Sequence, residues 1–409
     1  MNPTRYLLVG GGVASHYAAD EIRKKDSRGT ITIISEESYL PYDRPPLSKE
    51  FLRGDKGIAE ISCEPEPFYG GKGIDVILKT SVQKLNLQNK SALLSNNENI
   101  SFEKALVATG GRPIKLKLPG ADIPGVHYLR TIDDANVIAR EAEPGKRCVI
   151  IGAGFIGIEV AATLTQKGAL VTVLEAEPRI WPRFTDETMS SYFQNYCTER
   201  GVTFNTSQIA TEIRGKSRPS SVMTKAGKEI PCDFVCIAVG IVPNVELAQQ
   251  AGLEVDNGVI VNEFMQTSNP NIYAVGDACN YPDPVFGRRR RVEHWGHAKY
   301  SGQVAGLNMA GVVTKYNMLS YVWSDIFDLH LEFAGDESAH DRVVLRGKFE
   351  DRSFFALYLK NNVLTAYLSV NTSPREFPTL QRLIQRKKDL AGKDDVLKDP
   401  MGDIKNLLL

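Results

Sequence analysis

Two glycine-rich turns in the chain have a spacing suited to binding a phosphate group. The first is GGGVAS at residues 10–15 and the second is GAGFIG at residues 152–157, and each follows a short apolar run. The first glycine of such a turn permits a tight bend, the second lets the backbone approach a pyrophosphate, and the third lets the following helix pack closely. Glu36 and Glu175 follow about 20 residues later, where a carboxylate can accept hydrogen bonds from a ribose diol. The pattern therefore predicts two dinucleotide-binding folds rather than two ordinary strand-to-helix turns.

Two further short segments have the pattern of strands that we expect in the first of these two folds. Apolar runs that end at Thr109 and at Gly276-Asp277 are typical of strands. An aspartate just past a strand end can accept a hydrogen bond from a ribityl hydroxyl, although aspartates that merely form turns are common. Ser15 stands where a third glycine or alanine is usual, and we expect only slightly looser helix packing there.

The composition excludes several other classes of protein. The 409 residues can bury more than one core, and 49 basic residues balance 49 acidic ones, so no overall charge favours nucleic acid or an anionic membrane. No run approaches ~18 apolar residues and the N-terminus has no signal-peptide pattern, so we expect no transmembrane segment and a cytoplasmic protein. The six scattered cysteines suit reduced thiols, and no histidine–cysteine cluster has the spacing of a metal site.

Four more motifs carry a resemblance to a known family. They are residues 40–49 (LPYDRPPLSK), residues 128–135 (YLRTIDDA), Gly276-Asp277 and residues 291–298 (RVEHWGHA). With the two glycine turns, they make the chain resemble the FAD-dependent NAD(P)H reductases of the pyridine nucleotide-disulfide oxidoreductase superfamily. It is similar to the branch of oxygenase-coupled NADH:ferredoxin and rubredoxin reductases, apoptosis-inducing factor and monodehydroascorbate reductase. The resemblance covers nearly the whole chain.

The resemblance implies an α/β fold with two Rossmann-like dinucleotide-binding domains of the glutathione-reductase type and a C-terminal α+β domain. The implied domains are an FAD-binding domain at residues 1–113 and 244–318, an NAD-binding domain at 114–243 and the C-terminal domain at 319–409. Alternating apolar residues in the last region predict strands at residues 330–333, 342–346, 354–359 and 363–370. A helix is predicted at residues 375–388.

The resemblance also implies which residues bind the two cofactors. Those expected at FAD are Gly10, Gly12, Ala14, Ser15, Glu36, Arg44, Lys49, Val82, Arg130, Asp277, His294, Trp295 and Trp323. Those expected at NADH are Gly152, Gly154, Phe155, Ile156, Gly157, Glu159, Glu175, Gly240 and Glu332. Lys49 and Glu159 are the candidate catalytic residues, because an ammonium group near the flavin ring stabilises developing negative charge and a carboxylate can hold it in place. The alternative is a surface lysine and a helix glutamate that never meet.

The implied reaction is hydride transfer from NADH to FAD, followed by electron transfer to a small acidic iron–sulfur carrier, a ferredoxin or rubredoxin. Residues 41–49 contain no cysteine, so the dithiol relay of the disulfide reductases is missing, and Cys63 comes too late in the sequence to replace it. Two alternatives stay open. One is reduction of a small acceptor such as monodehydroascorbate, a quinone or oxygen, and the other is a non-catalytic NADH-sensing flavoprotein.

Three further expectations concern coenzyme and partners. Glu175 would favour NADH over NADPH, although Arg179 and Arg183 follow closely and could bind a 2′-phosphate. The run Arg288 to Arg291 is either a docking patch for the acidic carrier or an ordinary solvated loop. We expect a monomer or homodimer that binds no nucleic acid.

Overall fold

The computed structural model describes residues 2–182, 184–336, 338 and 340–408. The chain divides into two compact units. Unit 1 comprises Met1–Arg44, Gly57–Arg112 and Ile241–Ser320, and unit 2 comprises Pro45–Lys56, Pro113–Gly240 and Tyr321–Leu409. Pro45–Lys56 thus belongs to unit 2, whereas the predicted FAD-binding domain included it. The three predicted domain boundaries stay a prediction.

The main sheet of unit 1 is built around the strand Thr4–Val9. Five of its strands are parallel to their neighbours, and a hairpin adds two antiparallel strands at one edge. In spatial order the strands are Ile74–Ile77, Ile31–Ile34, Thr4–Val9, Asn99–Val107, Ser91–Leu94 and Val82–Asn86, with Ile272–Ala274 also paired to Asn99–Val107. Residues 6–9, 31–34 and 105–107, where three of these strands lie side by side, are all buried, as expected of a parallel sheet covered on both faces.

Helices and short strands complete unit 1. The helix Val13–Lys25 connects Thr4–Val9 to its parallel neighbour Ile31–Ile34, which makes a βαβ unit directly after the first glycine turn. The other helices are Ile58–Ile61, Glu66–Gly71, Glu246–Gln250 and Trp295–Met309, with a 3-10 turn at Gly276–Ala278. The short strands are Gly111–Pro113, whose last residue is counted in unit 2, and Ile241–Pro243, Val259–Ile260, Cys279–Pro282 and Arg289–Arg290.

Unit 2 contains a second parallel sheet with the same strand–turn–helix beginning. Its strands lie in the order Thr203–Asn205, Leu170–Leu174, Arg147–Ile151, Phe234–Ile237 and Val126–Tyr128. A three-stranded antiparallel sheet is formed by Ala210–Gly215, Pro219–Thr224 and Glu229–Pro231. The helices of this part are Glu50–Arg53, Ile132–Glu141, Phe155–Gln166 and Glu187–Thr198, with a 3-10 turn at Pro45–Ser48.

The C-terminal part of unit 2 is a five-stranded antiparallel sheet with short helices. Its strands lie in the order Tyr321–Ile326, Leu329–Gly335, Val363–Val370, Ser353–Lys360 and Arg342–Lys348. The helices are Phe377–Arg386 and Asp394–Lys398, with 3-10 turns at Pro374–Glu376 and Ile404–Leu408. All four predicted strands are present with bounds shifted by a few residues, whereas the first strand, Tyr321–Ile326, was missed.

The predicted C-terminal helix is shorter than expected at both ends. Proline at residue 374 opens a 3-10 turn, so the α-helix begins at Phe377. It ends at Arg386 because Lys387 adopts a left-handed backbone with φ 51°.

Candidate functional site

The first glycine turn forms a backbone cradle in unit 1. Gly10 has φ +117°, and a Cβ atom there would lie 2.2 Å from the carbonyl oxygen of Ala108. Gly12 caps the helix Val13–Lys25, and a Cβ there would meet no described atom within 4 Å, so the helix N-terminus opens onto space that the described residues leave free. Ser15 is fully buried in the first helical turn, and its hydroxyl has no hydrogen-bond partner among the described residues. A buried orphan hydroxyl beside an open helix N-terminus fits a bound pyrophosphate.

A second group of predicted FAD residues is connected by charge. Arg44 forms an ion pair of 2.5 Å with Glu37, and its Nη1 donates to the Tyr42 hydroxyl at 3.0 Å. Burial by itself would lower the pKa of Arg44, but Tyr42, Glu37 and Asp277 together hold it above its usual value. Glu36 lies exposed just past the strand Ile31–Ile34. Sequence reasoning missed Glu37, although it is adjacent to the acid that was chosen.

His294 and Trp295 mark the start of the helix Trp295–Met309. The Trp295 indole donates to Asp43 at 2.7 Å, and Nδ1 of His294 lies 2.8 Å from the Ser320 hydroxyl. Burial lowers the pKa of His294 to about 4, so its ring is neutral at pH 7. Asp277, in the 3-10 turn Gly276–Ala278, acts electrostatically on His294 and on Arg44. Val82, by contrast, is simply the first residue of its strand.

The second glycine turn repeats the cradle in unit 2. Gly152 has φ +104°, and a Cβ on Gly157 would lie 2.0 Å from the Gly152 carbonyl oxygen, so only glycine allows this helix start. Gly154 caps the helix Phe155–Gln166 and faces open space. Backbone N–H groups of Ala153 and Glu177 donate to the two oxygens of Glu175, at 2.7 and 2.9 Å. The glycine turn therefore holds one oxygen of the carboxylate that was predicted to bind the ribose, and the loop after Glu175 holds the other.

Of three other residues predicted to bind NADH, one packs against aromatic rings and two are exposed. Phe155 packs against Trp181 and Phe184, with ring centroids 5.2 and 4.4 Å away. Ile156 is 44% exposed, and Gly240 is exposed with φ +107°. Such exposed apolar and glycine positions leave room for a ligand.

Lys49 and Glu159 meet in unit 2 as a buried ion pair. The distance from Lys49 Nζ to Glu159 Oε2 is 3.0 Å, and the two side chains are 4% and 5% exposed. Ser48 and Ser324 donate to the same carboxylate, Ser324 to Oε1 at 2.6 Å. The surface-residue alternative is therefore wrong, while the catalytic role stays a prediction. Sequence reasoning missed both serines, although Ser48 immediately precedes Lys49 and Ser324 follows the chosen Trp323.

Trp323 and Glu332 lie directly opposite each other in the C-terminal sheet. They are register partners of two antiparallel strands, so their side chains share a face. The Tyr367 hydroxyl donates to Glu332 Oε1 at 2.5 Å, and burial raises the pKa of this carboxyl group. Arg130 lies just before the helix Ile132–Glu141, where its backbone N–H donates to Asp134 at 3.0 Å.

A cavity of about 310 Å³ lies beside Lys49 in unit 2. Asp325 and His330 line it too, and His330 Nδ1 is 2.6 Å from an Asp325 oxygen. The hydrogen bond to Asp325 raises the pKa of His330. No pattern in the sequence indicated this pair, because its two members face each other only after two strands have formed.

Several arginines named in the coenzyme and docking predictions form hydrogen bonds or ion pairs within the protein. Arg179 donates to three backbone carbonyl groups nearby, and Arg183 lies outside the described residues. Arg290 pairs with Asp283 at 3.2 Å and Arg291 with Glu293 at 2.7 Å. The charge that the arginine run presents is therefore smaller than its sequence indicates.

The thiols differ from those of a disulfide reductase. All six cysteines are free, and only Cys63 is not fully buried. Burial raises the pKa of Cys63 far above its usual value, so the thiolate needed for redox chemistry is disfavoured. Within the described ranges, no group of three or more histidine, cysteine, aspartate or glutamate side chains could hold a metal ion. Nor is any described helix both long enough and apolar enough to cross a membrane.

Two open helix N-termini on parallel sheets, each preceded by a glycine cradle, define a protein that binds two dinucleotides. The family described as pyridine nucleotide-disulphide oxidoreductase matches residues 4–302, and the reductase C-terminal family matches residues 321–408. The chain therefore belongs to the pyridine nucleotide-disulphide oxidoreductase family. The predicted superfamily, α/β fold class and enzyme class are confirmed, and the cofactors are FAD and NADH.

Similar proteins include named reductases of iron–sulfur carriers. The probable ferredoxin reductase CtmF of Castellaniella defragrans is 33% identical over 98% of this chain and 98% of its own length. The rubredoxin-NAD(+) reductase of Pseudomonas putida is 31% identical, over 90% of this chain and 96% of its own. The reductase in the crystal structure of a covalent putidaredoxin reductase–putidaredoxin complex superimposes with a TM-score of 0.94 at 29% identity, over 100% of this chain and 99% of that one.

Proposed function

We propose that this protein takes hydride from NADH onto FAD and passes the electrons to a small iron–sulfur carrier of the ferredoxin or rubredoxin type. The names of the similar proteins support this acceptor class, and one of them forms a complex with its carrier. When bound, FAD supplies the conversion from a two-electron donor to a one-electron acceptor. The chain's own residues supply binding, orientation and charge.

The buried Lys49–Glu159 pair is the observation that carries this proposal. Keeping a lysine and a glutamate charged costs free energy when both are almost completely buried, unless the two form an ion pair with each other. An ammonium group held in such a place stabilises negative charge that develops on a neighbouring ring. We therefore assign Lys49 to the reacting edge of the flavin and Glu159 to the nicotinamide side.

The other predicted residues have supporting roles in this proposal. In unit 1 the open N-terminus of the helix Val13–Lys25 would hold the FAD pyrophosphate, with Asp277 on the ribityl chain and neutral His294 near the ring. In unit 2 the helix Phe155–Gln166 and Glu175 would hold the NADH pyrophosphate and adenosine ribose. No thiol takes part.

Stopped-flow spectroscopy tests the two half-reactions separately. NADH should bleach the flavin rapidly in the wild type, and Lys49→Met should slow this step without abolishing FAD binding. The reduced protein is then mixed with ferredoxin, rubredoxin, a quinone, monodehydroascorbate or oxygen. Fast reoxidation by a carrier supports the proposal, faster reoxidation by a small molecule supports the second acceptor class, and slow reoxidation by all of them identifies an NADH sensor.

We also propose that the protein is cytoplasmic and that it is a monomer or a homodimer. Six free cysteines suit a reducing compartment, and an overall balance of charge suits a protein that meets its carrier through a local surface. Cell fractionation and analytical ultracentrifugation test location and mass.

A further inference from the structure

We propose that Ser324 and Ser48 are positioning residues that hold Glu159, and through it Lys49, in the geometry needed for flavin reduction. The proposal rests on the assignment of the Lys49–Glu159 pair to the hydride-transfer site. It adds that a hydroxyl from the C-terminal sheet is part of that site. The four side chains all lie in unit 2.

Glu159 accepts hydrogen bonds on both carboxylate oxygens. Ser324 Oγ donates to Oε1 at 2.6 Å, while Lys49 Nζ lies 3.0 Å from Oε2, which also accepts from Ser48. Measured over the whole residue rather than the side chain, Ser48 and Ser324 are each 1% exposed, Lys49 is 3% exposed and Glu159 is 4% exposed. Because so little water reaches these groups, the two serines are the chief partners that fix the carboxylate plane around the lysine.

The contacts come from three separate parts of the chain. Ser48 ends the 3-10 turn Pro45–Ser48, Glu159 is in the helix Phe155–Gln166, and Ser324 is in the strand Tyr321–Ile326. One turn further along the same helix, Thr163 Oγ1 donates to the Ser48 carbonyl at 2.7 Å. Two hydrogen bonds thus join the helix to the turn, while the Ser324 hydroxyl joins the C-terminal strand to the carboxylate.

Removing the Ser324 hydroxyl leaves one buried carboxylate oxygen without its donor. A buried charged oxygen is costly when unpaired, so the carboxylate is expected to rotate towards its remaining donors. Lys49 would then move with it. Because charge stabilisation depends on donors fixed in advance, even a small displacement of the ammonium group weakens its effect on the developing negative charge.

The test compares Ser324→Ala and Ser324→Thr in the FAD-loaded protein. For Ser324→Ala we expect a limiting rate of flavin reduction by NADH that is lower on the order of 10-fold, with an NADH dissociation constant within about twofold of wild type. The midpoint potential of the bound flavin should become more negative, because the reduced anion loses part of its stabilisation. Ser324→Thr, which keeps the hydroxyl, should restore both rate and potential.

Ser369→Ala is the matched control. Ser369 is also 1% exposed and lies in the same C-terminal sheet, but its hydroxyl contacts Thr372 at 2.8 Å. This variant should change neither the flavin potential nor the limiting rate, even if it changes the urea midpoint. An equal change in potential for Ser369→Ala would show a general loss of packing and would overturn the proposal.

Two further variants separate the proposal from its premises. If Ser324→Ala does not fold, Ser48→Ala carries the same test from the other carboxylate oxygen, and an unchanged rate and potential there would overturn the proposal. Lys49→Met tests the premise: if it leaves flavin reduction unchanged, the proposed hydride site is wrong. If Lys49→Met slows reduction but folded Ser324→Ala does not, only the role of the serines is wrong. Both results come from the NADH half-reaction, so they do not depend on the acceptor.

Discussion

At the scale of single residues, the coenzyme preference depends on how firmly Glu175 is held. Its two oxygens accept from backbone N–H groups at 2.7 and 2.9 Å, so the carboxylate cannot easily turn away from a ribose. Arg179 could have offered a 2′-phosphate a partner, but its guanidinium already donates to three backbone carbonyls. The structure therefore strengthens the argument for NADH.

We predict a kcat/KM for NADH that exceeds that for NADPH on the order of 10-fold or more, because close like charges cost several kcal/mol. Glu175→Ala should bring the two values closer together, because kcat/KM for NADPH should rise and kcat/KM for NADH should fall. Arg179→Ala serves as the control and should leave the ratio unchanged in any folded variant. Steady-state kinetics with both coenzymes decide the matter, and equal values for wild type would refute the prediction.

His330 provides a pH-dependent contribution to stability. Its hydrogen bond to Asp325, at 2.6 Å, raises its pKa in the folded state above the value in the unfolded chain. The pair therefore stabilises the fold fully below the unfolded pKa, and this stabilisation is lost as the pH rises through the folded pKa. The His330 and Asp325 side chains are 53% and 38% exposed, so we expect a modest effect.

Urea unfolding of wild type and His330→Asn over about pH 5 to 8 should reveal this contribution. We expect the difference in unfolding free energy to be largest at the acid end and to shrink as the pH rises. The double variant His330→Asn with Asp325→Asn should lose the same pH-dependent contribution to the unfolding free energy as His330→Asn alone. A difference that grows with pH would contradict the sign of the shift.

At the scale of elements, the packing of two helices in unit 1 shapes the first glycine turn. A Cβ atom on Gly302, in the helix Trp295–Met309, would lie 2.3 Å from the carbonyl oxygen of Ala14 in the helix Val13–Lys25. Such a contact is far below the van der Waals distance, and the obstructing atom is backbone. Ala14 belongs to the first turn after Gly12, so any separation of the helices moves the predicted pyrophosphate cradle.

We predict that Gly302→Ala lowers the free energy of unfolding by about 1–3 kcal/mol, as overpacking of a core does, and also weakens FAD retention. Gly70→Ala is the control, because Gly70 lies in the helix Glu66–Gly71 and a Cβ there meets no atom of the described residues within 4 Å. Unfolding curves and FAD dissociation constants should change for the first variant only. Normal stability with normal FAD binding in Gly302→Ala would show that the two helices can shift without cost.

The elements also show what the sequence could and could not reveal. The glycine turns were predictable because their conformational demands lie within six adjacent residues. Ser324 was not, because it lies 165 positions from Glu159 and the two meet only through the tertiary fold. The strand Tyr321–Ile326 was not predicted because Ser324 and Asp325 interrupt its apolar pattern. In the structure Ser324 is hydrogen-bonded to Glu159, and Asp325 to His330. Strand prediction failed where polar side chains that form specific contacts interrupt the apolar pattern.

At the scale of the whole molecule, the equal numbers of acidic and basic residues leave carrier docking to local charge. The sequence left two interpretations of the run Arg288 to Arg291, a docking patch for the carrier or an ordinary solvated loop. Its members differ: Arg288 and Arg289 are exposed, whereas Arg290 pairs with the buried Asp283 and Arg291 with Glu293. The Arg289 guanidinium also donates to the backbone carbonyl groups of Val261 and Asn280, at 2.5 and 2.6 Å. The docking patch stays a prediction, and any docking role falls mainly to Arg288.

We predict that Arg288→Glu slows reduction of an acidic carrier severalfold while leaving flavin reduction by NADH unchanged. The effect should shrink with added salt, because exposed charges are screened over ~10 Å at 0.1 M ionic strength. Arg290→Glu should act differently, since it leaves the Asp283 side chain, 0% exposed, beside a second negative charge and so lowers stability in urea. Stopped-flow rates over a salt series, with a quinone as uncharged acceptor, distinguish these effects. A carrier rate that responds neither to Arg288→Glu nor to salt would place docking elsewhere on the surface, because an encounter steered by this loop must respond to both.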